Sequence, residues 1–316
     1  MITYHQLRTF LLVVRTGSLT KAARELNASQ PTVSLQLRAL QKFLRTPLLD
    51  RDGRGLRLTP AGEKLCRYAE DVVGGLRTLQ EDIGALAGSV AGPLAVGVTF
   101  LINRYVLPLS LFRFREQFPE VNVQLHVEFP EPLFRSLFAN TLDVACYLNV
   151  RTPAGLTIEP VGFEELLIIA SPTHPLARRR RVSPQDLSAH PFIAPVQTPL
   201  REMIDAKLRA VGVTPCVAAE AMHHDAVKKV VERNVGYAAL IRTSVTEELA
   251  SGRLVALRLD APPILSEVVV AYRSRGAVSP LVQEFIRFVR ADLARHRRES
   301  ASHPRRRQHP PRRLAP

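Results

Sequence analysis

Between Ser29 and Lys42 the chain places four short hydrogen-bonding side chains, Ser29, Gln30, Thr32 and Ser34, ahead of two cations, Arg38 and Lys42. Glutamine can hold an adenine edge bidentately, serine and threonine serve bases or phosphates, and arginine and lysine neutralise phosphate charge. Val33, Leu37, Leu40 and Leu44 recur at helical spacing through the same segment. The polar groups therefore fall, with Pro31 and Leu35, on the opposite face of one helix. That is the surface a major groove admits. Leu48-Leu49-Asp50-Arg51, a turn at Asp52-Gly53-Arg54-Gly55 and Leu56-Arg57-Leu58 follow as a hairpin. Arg51, Arg54 and Arg57 are placed there for a phosphate backbone.

Such a helix needs elements to hold it. Thr3 with Gln6 starts a capping box, and Leu7, Phe10, Leu11 and Val14 recur helically as far as Gly17. Ser18 caps a second helix with Leu19, Ala22, Ala23 and Leu26 inward, and Thr20 joins Ser18 near its DNA-facing end. Asn27-Ala28 forms the turn, and Ser29 caps the third helix with Pro31 in its first turn. Two helices so joined, at about 19–38, make a helix-turn-helix, and the basic hairpin makes it winged.

Net charge supports a polyanionic partner. The 316 residues carry +14, unevenly placed. Residues 1–59 hold ten Lys/Arg against three Asp/Glu, and residues 296–316 hold seven Arg against Glu299 alone. With four prolines and almost no apolar side chains, that basic tail is expected to be disordered and to add nonspecific DNA affinity. Three widely spaced cysteines, Cys66, Cys146 and Cys216, indicate neither a disulfide framework nor a zinc cluster. A reducing compartment and the absence of a signal peptide point to the cytoplasm and the nucleoid. The uncharged run Ile83–Asn103 is broken by Gly84, Gly88, Gly92, Pro93 and Gly97. It reads as a helix end, a hinge and a strand rather than as a membrane span.

From Pro60 a long helix carries Leu65, Ala69, Val72, Leu76, Leu79, Ile83 and Leu86 in 4-3 spacing. A seam of that kind wants a second helix, so residues 60–89 are expected to be a homodimerising linker. Gly74-Gly75 is a weak point in it. Residues 90–295 then alternate strands and helices, which predicts an α/β domain with mostly parallel sheets. The elements expected are strands at 94–98, 121–127, 142–148, 165–171, 191–195, 237–241 and 267–272, and helices at 103–118, 132–139, 199–211, 225–234 and 279–295. Two lobes are expected, about 90–160 with 267–295, and about 161–266. Ligands in open α/β lobes sit where strand carboxyl ends meet helix N-termini, whose free donors favour anions. Thr99, Phe100, Leu101, Tyr147, Gln197, Thr198, His223 and His224 are the candidates for a cleft holding a small anionic effector. His223-His224-Asp225 lacks a third ligand at helical spacing, so neither a metal nor any cofactor is expected.

G-S-L-T-K-A-A at 17–23, S-Q-P-T-V-S-L-Q-L-R-A-L-Q at 29–41, L-L-D-R at 48–51 and L-R-L-T-P-A-G-E at 56–63 together resemble the N-terminal region of LysR-type transcriptional regulators. Three positions depart from the pattern. Leu35 stands where many members carry Arg, Gln41 where Glu is usual, and Leu49 where Phe is frequent. Base readout should accordingly lean on Gln30, Pro31 and Ser34, with an apolar contact from Leu35 to a thymine methyl. H-P-L-A at 174–177 and the strand at 191–195 resemble the family's second domain. The resemblance implies an N-terminal all-α winged helix-turn-helix with a long linker helix, followed by an α/β two-lobed periplasmic-binding-protein-like (type 2) effector domain. It implies a DNA-binding transcription factor active in transcription regulation, a homodimer that assembles into a homotetramer. This assembly would bind double-stranded DNA at an interrupted palindromic promoter site, with its effector changing the DNA bend. RNA polymerase is a further candidate partner, and no membrane is expected.

No G-x-S-x-G, H-E-x-x-H, P-loop or dinucleotide fingerprint occurs. An enzyme is therefore not expected. The rival readings are an enzyme or solute-binding module built on 91–295, or an architectural DNA binder without a ligand. Gln30→Ala should relax base preference, whereas Arg51→Ala should weaken binding alike on all sequences and lower the slope of log K against log salt by about one. Gel shifts on matched and mismatched duplexes across a salt series check both; a uniform loss from Gln30→Ala would remove its base-reading role.

Overall fold

A computed structural model describes residues 1–52, 55–86, 90–274 and 278–302. The Gln6 N–H donates to Thr3 Oγ1 (3.3 Å) and the Thr3 N–H to Gln6 Oε1 (2.9 Å), closing the capping box of α1, Tyr4–Thr16. Gly17 ends that helix at φ 61°, the left-handed region in which a residue without Cβ is least strained. Next come α2 (Leu19–Glu25) and α3 (Gln30–Leu44), joined through Asn27 at φ 50°. Phe10, Val13, Ala22, Ala23, Val33, Leu37, Leu40 and Leu48 form the head's buried core. The wing is the antiparallel pair β1 (Leu49–Asp52) and β2 (Gly55–Leu58), in which Leu49 faces Leu58 and Asp52 faces Gly55. Gln41 supports it, since its side-chain oxygen accepts from the Leu48 N–H at 2.8 Å.

The linker helix α4 spans Pro60–Leu86, roughly 40 Å at 1.5 Å per residue. Thr59 fastens it to the head, donating its hydroxyl to the Pro47 carbonyl (2.8 Å) and accepting from the Gly62 N–H (3.0 Å). Along the expected seam, Ala69 is buried and Leu65 half-buried against the head, while Val72, Leu76, Leu79 and Ile83 are exposed. Two bonds tie the middle of α4 to the rest of the chain. Asn140 donates to the Glu70 carbonyl at 2.8 Å, and Arg273 pairs with Asp71 at 2.6 Å.

Past the linker come β3 (Gly92–Val98), α5 (Pro108–Gln117), β4 (Val121–Val127), α6 (Pro130–Phe138), β5 (Val144–Leu148) and β6 (Leu156–Ala170). They continue as α7 (Pro184–Ser188), β7 (Pro191–Pro195), α8 (Pro199–Ala210), β8 (Cys216–Ala221), α9 (His224–Glu232) and β9 (Ala238–Ile241). Last are α10 (Thr246–Ala250), β10 (Val255–Ala256), β11 (Ile264–Arg273) and α11 (Pro280–Ser302). The main sheet runs β10-β6-β11-β5-β3-β4, with β9 also on β6. It is mixed, not mostly parallel: β3 runs parallel with β4 and β5, but β11 is antiparallel to β5 and β6, and β9 and β10 are antiparallel to β6. β7 and β8 form a parallel pair of their own. The expected lobe boundary falls inside β6 and β11 rather than in loops, where the register shifts between Val268 and Val269 opposite 160–162.

Three further expectations are corrected. The helix expected at 103–118 is broken, because Pro108 has no N–H to continue it; a π-helical turn at Ile102–Val106 precedes α5. The alternation of Val121, Val123, Leu125 and Val127 with polar residues places all four on one buried face, but Leu125 is exposed on β4, an edge strand. The terminal helix runs beyond Arg295 to Ser302, so 296–302 are helical, and the first residue to oppose helix is Pro304. Residues 303–316 lie outside the described residues. α11 returns to the first half of the domain, where buried Asp292 accepts from Ser110 (2.7 Å) and Arg113 (3.0 Å) and Phe285 meets Phe114 edge-on. Among the described residues no helix is long and apolar enough to cross a membrane.

A Cβ at Gly62 would stand 2.0 Å from the Leu48 carbonyl oxygen, whereas one at Gly75 meets nothing within 4 Å. Gly62→Ala should lower the head's thermal midpoint, at an overpacking cost of about 1–3 kcal/mol. Gly75→Ala should be neutral or stabilising, and equal midpoints for the two variants would contradict the packing of α4 on Leu48.

Candidate functional site

Two surfaces hold the candidate residues. On the head, Gln30, Pro31, Thr32, Leu35 and Arg38 are exposed on one side of α3, with Ser34 half-buried beside them. Leu35 is 69% exposed, a large apolar side chain facing outward on an otherwise polar surface. Ser29 and Thr32 are partly committed to the helix start: Ser29 Oγ accepts from the Thr32 N–H (3.3 Å) and bonds the Thr32 hydroxyl (2.8 Å). Ser18 likewise accepts from the Lys21 N–H at 3.4 Å, and Thr20 is exposed in the first turn of α2. What these caps present outward is the positive end of a helix, which suits phosphate. Arg51 lies in β1 opposite Leu56, and Arg57 is exposed on β2. Arg54 falls outside the described residues.

The second surface is a cleft of 740 Å³ between the two halves of the α/β domain. Thr99, Phe100 and Leu101 come from the end of β3, Tyr147 from β5, Thr198 from the start of α8, and His223 and His224 from the start of α9; all seven line it. Gln197 does not and is a correction. Its neighbours Val196 and Thr198 both line the cleft, and in extended backbone the side chain between two such residues points the other way. Most of the remaining lining is apolar, including Phe129, Leu148, Val150, Pro195, Leu200 and Met222. Phe100 packs against Phe129 (5.6 Å) and edge-on against His223 across the cleft (6.2 Å), a bridge of rings between the halves. Tyr147 forms part of the floor, its hydroxyl bonded to Thr152 at 2.9 Å.

Sequence reasoning missed Arg104, Tyr105 and Asp225, which line the cleft together. The first two lie inside the helix expected at 103–118, and the π-helical turn carries them into the cleft. The Tyr105 hydroxyl donates to Asp225 Oδ1 at 2.8 Å and Arg104 pairs with Asp225 Oδ2 at 3.0 Å. Lys228, buried beneath, pairs with Asp225 (2.9 Å) and Glu248 (3.0 Å) and donates to the Ser244 carbonyl (2.9 Å). Burial would raise the Asp225 carboxyl, but hydrogen bonds from Lys228 and Tyr105 and the charges of Lys228 and Arg104 outweigh it and hold the group below the ordinary carboxylate range.

His224 is buried and stacks on Tyr105 at 6.4 Å. Ser244 spends its proton on the Ile241 carbonyl (2.7 Å), so its oxygen accepts from His224 Nδ1 (3.3 Å) and the imidazole lone pair lies on Nε2. That atom has no hydrogen-bond partner among the described residues. Burial first, and the Lys228 charge next, push the His224 pKa down from 6.5 to about 4. The unfolded chain therefore takes up a proton before the folded one does, and stability present above pH 6.5 is lost as the pH falls toward 4. Between pH 7 and 4.5 the wild type should lose about 2 kcal/mol more than His224→Gln in denaturant unfolding; equal losses would contradict a buried neutral imidazole.

The comparisons with known proteins cover both parts of the chain. Residues 4–63 match the family model of the bacterial regulatory helix-turn-helix protein, lysR family, and residues 87–294 match that of the LysR substrate binding domain. The HTH-type transcriptional activator CmpR of Synechocystis sp. is 30% identical over 290 residues, 91% of this chain and 94% of that protein. A RuBisCO operon transcriptional regulator of Allochromatium vinosum is 29% identical, over 93% of this chain and 97% of its own. In fold the chain resembles a cysteine-to-aspartate variant of full-length OxyR from Pseudomonas aeruginosa, with a TM-score of 0.76 at 21% identity over 93% of this chain and 95% of that one. It also resembles CbnR complexed with its target DNA, with a TM-score of 0.58 at 20% identity over 92% and 99%. With a DNA-reading head and an effector-binding domain on one polypeptide, the chain belongs to the LysR-type transcriptional regulators and is not an enzyme.

Proposed function

We propose that this regulator binds an interrupted palindromic promoter site as a homodimer and that a small anion in the cleft switches its transcriptional output. The observation that carries the dimer is the exposed half of the α4 seam: Val72, Leu76, Leu79 and Ile83 present one apolar stripe to solvent beyond the head. Covering it with a second α4 would hide the stripe and fix two copies of α3 at one separation, as two half-sites require. Leu109 and Phe112 on α5 and Leu125 on the neighbouring edge strand offer a second exposed apolar surface, which supports pairing of dimers into a tetramer. Base reading is assigned to Gln30, Pro31, Ser34 and Leu35, and backbone contact to Ser18, Thr20, Ser29, Thr32, Arg38, Arg51, Arg54 and Arg57.

For the effector, the starts of α6, α8 and α9 all reach the cleft, and neither α6 nor α9 has a side-chain cap on its first donors. Converging helix N-termini favour negative charge. The mainly apolar remainder suits the carbon skeleton of a small metabolite anion. A ligand touching both halves changes their angle, and through the assembly the bend of the bound DNA. The setting is the cytoplasm and the nucleoid, with RNA polymerase as a further partner. Since relatives aligned over nine-tenths of the chain are named as RuBisCO operon regulators, the promoter of such an operon is the first DNA to assay.

Footprinting with full-length protein should show two protected half-sites whose spacing shifts when effector is added. Thr198→Val should abolish the shift and leave the half-sites protected, whereas loss of both would mean misfolding. Ile83→Glu should reduce the assembly in sedimentation and weaken binding to the paired site more than to a single one; an unchanged assembly would sink the linker dimer.

A further inference from the structure

The reading of the cleft as an anion site meets a difficulty in its own charges. Its ionised lining groups are Arg104, Glu128 and Asp225, one cation against two anions. His224 adds no charge, and Arg104 is already paired with Asp225. An incoming anion would therefore find Arg104, and Lys228 behind it, already paired with carboxylates unless a cation were released to it.

Asp225 holds two cations that differ in how firmly they are placed. Lys228 is 8% exposed and is fixed from behind by Glu248 and the Ser244 carbonyl as well as by Asp225. Arg104 is 64% exposed, and its further hydrogen bond, from Nε to Tyr105 Oη at 3.1 Å, is to its own chain neighbour. If Arg104 left, Asp225 would keep Lys228 and the Tyr105 hydroxyl, so no carboxylate would be stranded. The pair also spans the domain, with Arg104 on the π-helical turn of the first half and Asp225 in the first turn of α9 in the second.

From this arrangement we propose that Arg104 is the cation that reads the effector, held in reserve by Asp225 and passed to the effector's acidic group on binding. The exchange rests on the anionic-effector reading above and adds its mechanism. One charge-assisted contact between the halves opens as another forms between Arg104 and the ligand, so occupancy and interlobe geometry change in the same step. A guanidinium suits this role because its planar fork grips a carboxylate or a phosphate equally well in two geometries.

The two partners should then act in opposite directions. With inorganic phosphate as the probe, titrated against full-length protein at constant ionic strength with chloride as control, Arg104→Gln should lose the phosphate-induced rise in melting temperature. Asp225→Asn keeps an acceptor for Tyr105 but removes the competing charge, and should bind phosphate about tenfold more tightly than wild type. In the Arg104→Gln/Asp225→Asn double variant that gain should vanish. If both single variants weaken binding, or neither changes it, the pair is a plain structural bridge and the exchange is wrong, while loss of the phosphate response in Thr198→Val would leave the cleft reading standing. If phosphate stabilises neither wild type nor Asp225→Asn, the anionic reading fails and the exchange with it. Should Asp225→Asn not fold, Arg104→Gln decides alone, because an exposed side chain can be replaced without loss of the fold and a full phosphate response from that variant overturns the proposal.

Discussion

Ile264–Arg273 pairs antiparallel with β6 from Leu166 to Leu156, and these two strands are shared by both halves of the α/β domain. Because each strand is continuous through the boundary, the halves cannot slide or separate freely. They can twist about the paired strands, and the register shift opposite Val268 and Val269 is where the ladder is already irregular and most easily twisted. The cleft is walled by the π-helical turn after β3 on one half and by the starts of α8 and α9 on the other. α11 closes the first half, holding buried Asp292 against α5. Such a scaffold can convert a few contacts across the cleft into a rotation, provided those contacts differ between the two positions.

The linker joins the α/β domain to the head by a short route. Asn140, which follows α6, and Arg273, the last residue of β11, both bind the middle of α4. Thr59 and Gly62 lock the other end of α4 under the wing. A helix fixed at one end and held at its middle transmits angle rather than absorbing it. The recognition helix is tied into the same head, since α3 packs on α1 and α2 and Ser29 caps its start.

Much of this is legible in the sequence, and the exceptions have physical causes. Caps, turns and the apolar periodicity of α1 to α4 depend on neighbouring residues, so Thr3, Ser18, Ser29 and Gly17 announce the head directly. Strand direction depends on distant partners, and so the alternation in 90–295 implied parallel pairing where β11 in fact returns antiparallel. In the cleft, residues next to a strand end or helix start were identifiable from local order alone. Gln197 was misplaced by one residue of backbone alternation, and Arg104 and Tyr105 were hidden by a helix register that Pro108 prevents. Asp225 stands in the sequence only beside His223 and His224, and its link to Tyr105 spans 120 residues of sequence.

The wing's support has a consequence for how the head responds to salt. The bond from Leu48 to Gln41 is between two neutral groups, so it neither titrates nor weakens as counterions accumulate. Binding to phosphates does weaken with salt. Salt would therefore weaken the head's contacts with phosphate without weakening this bond.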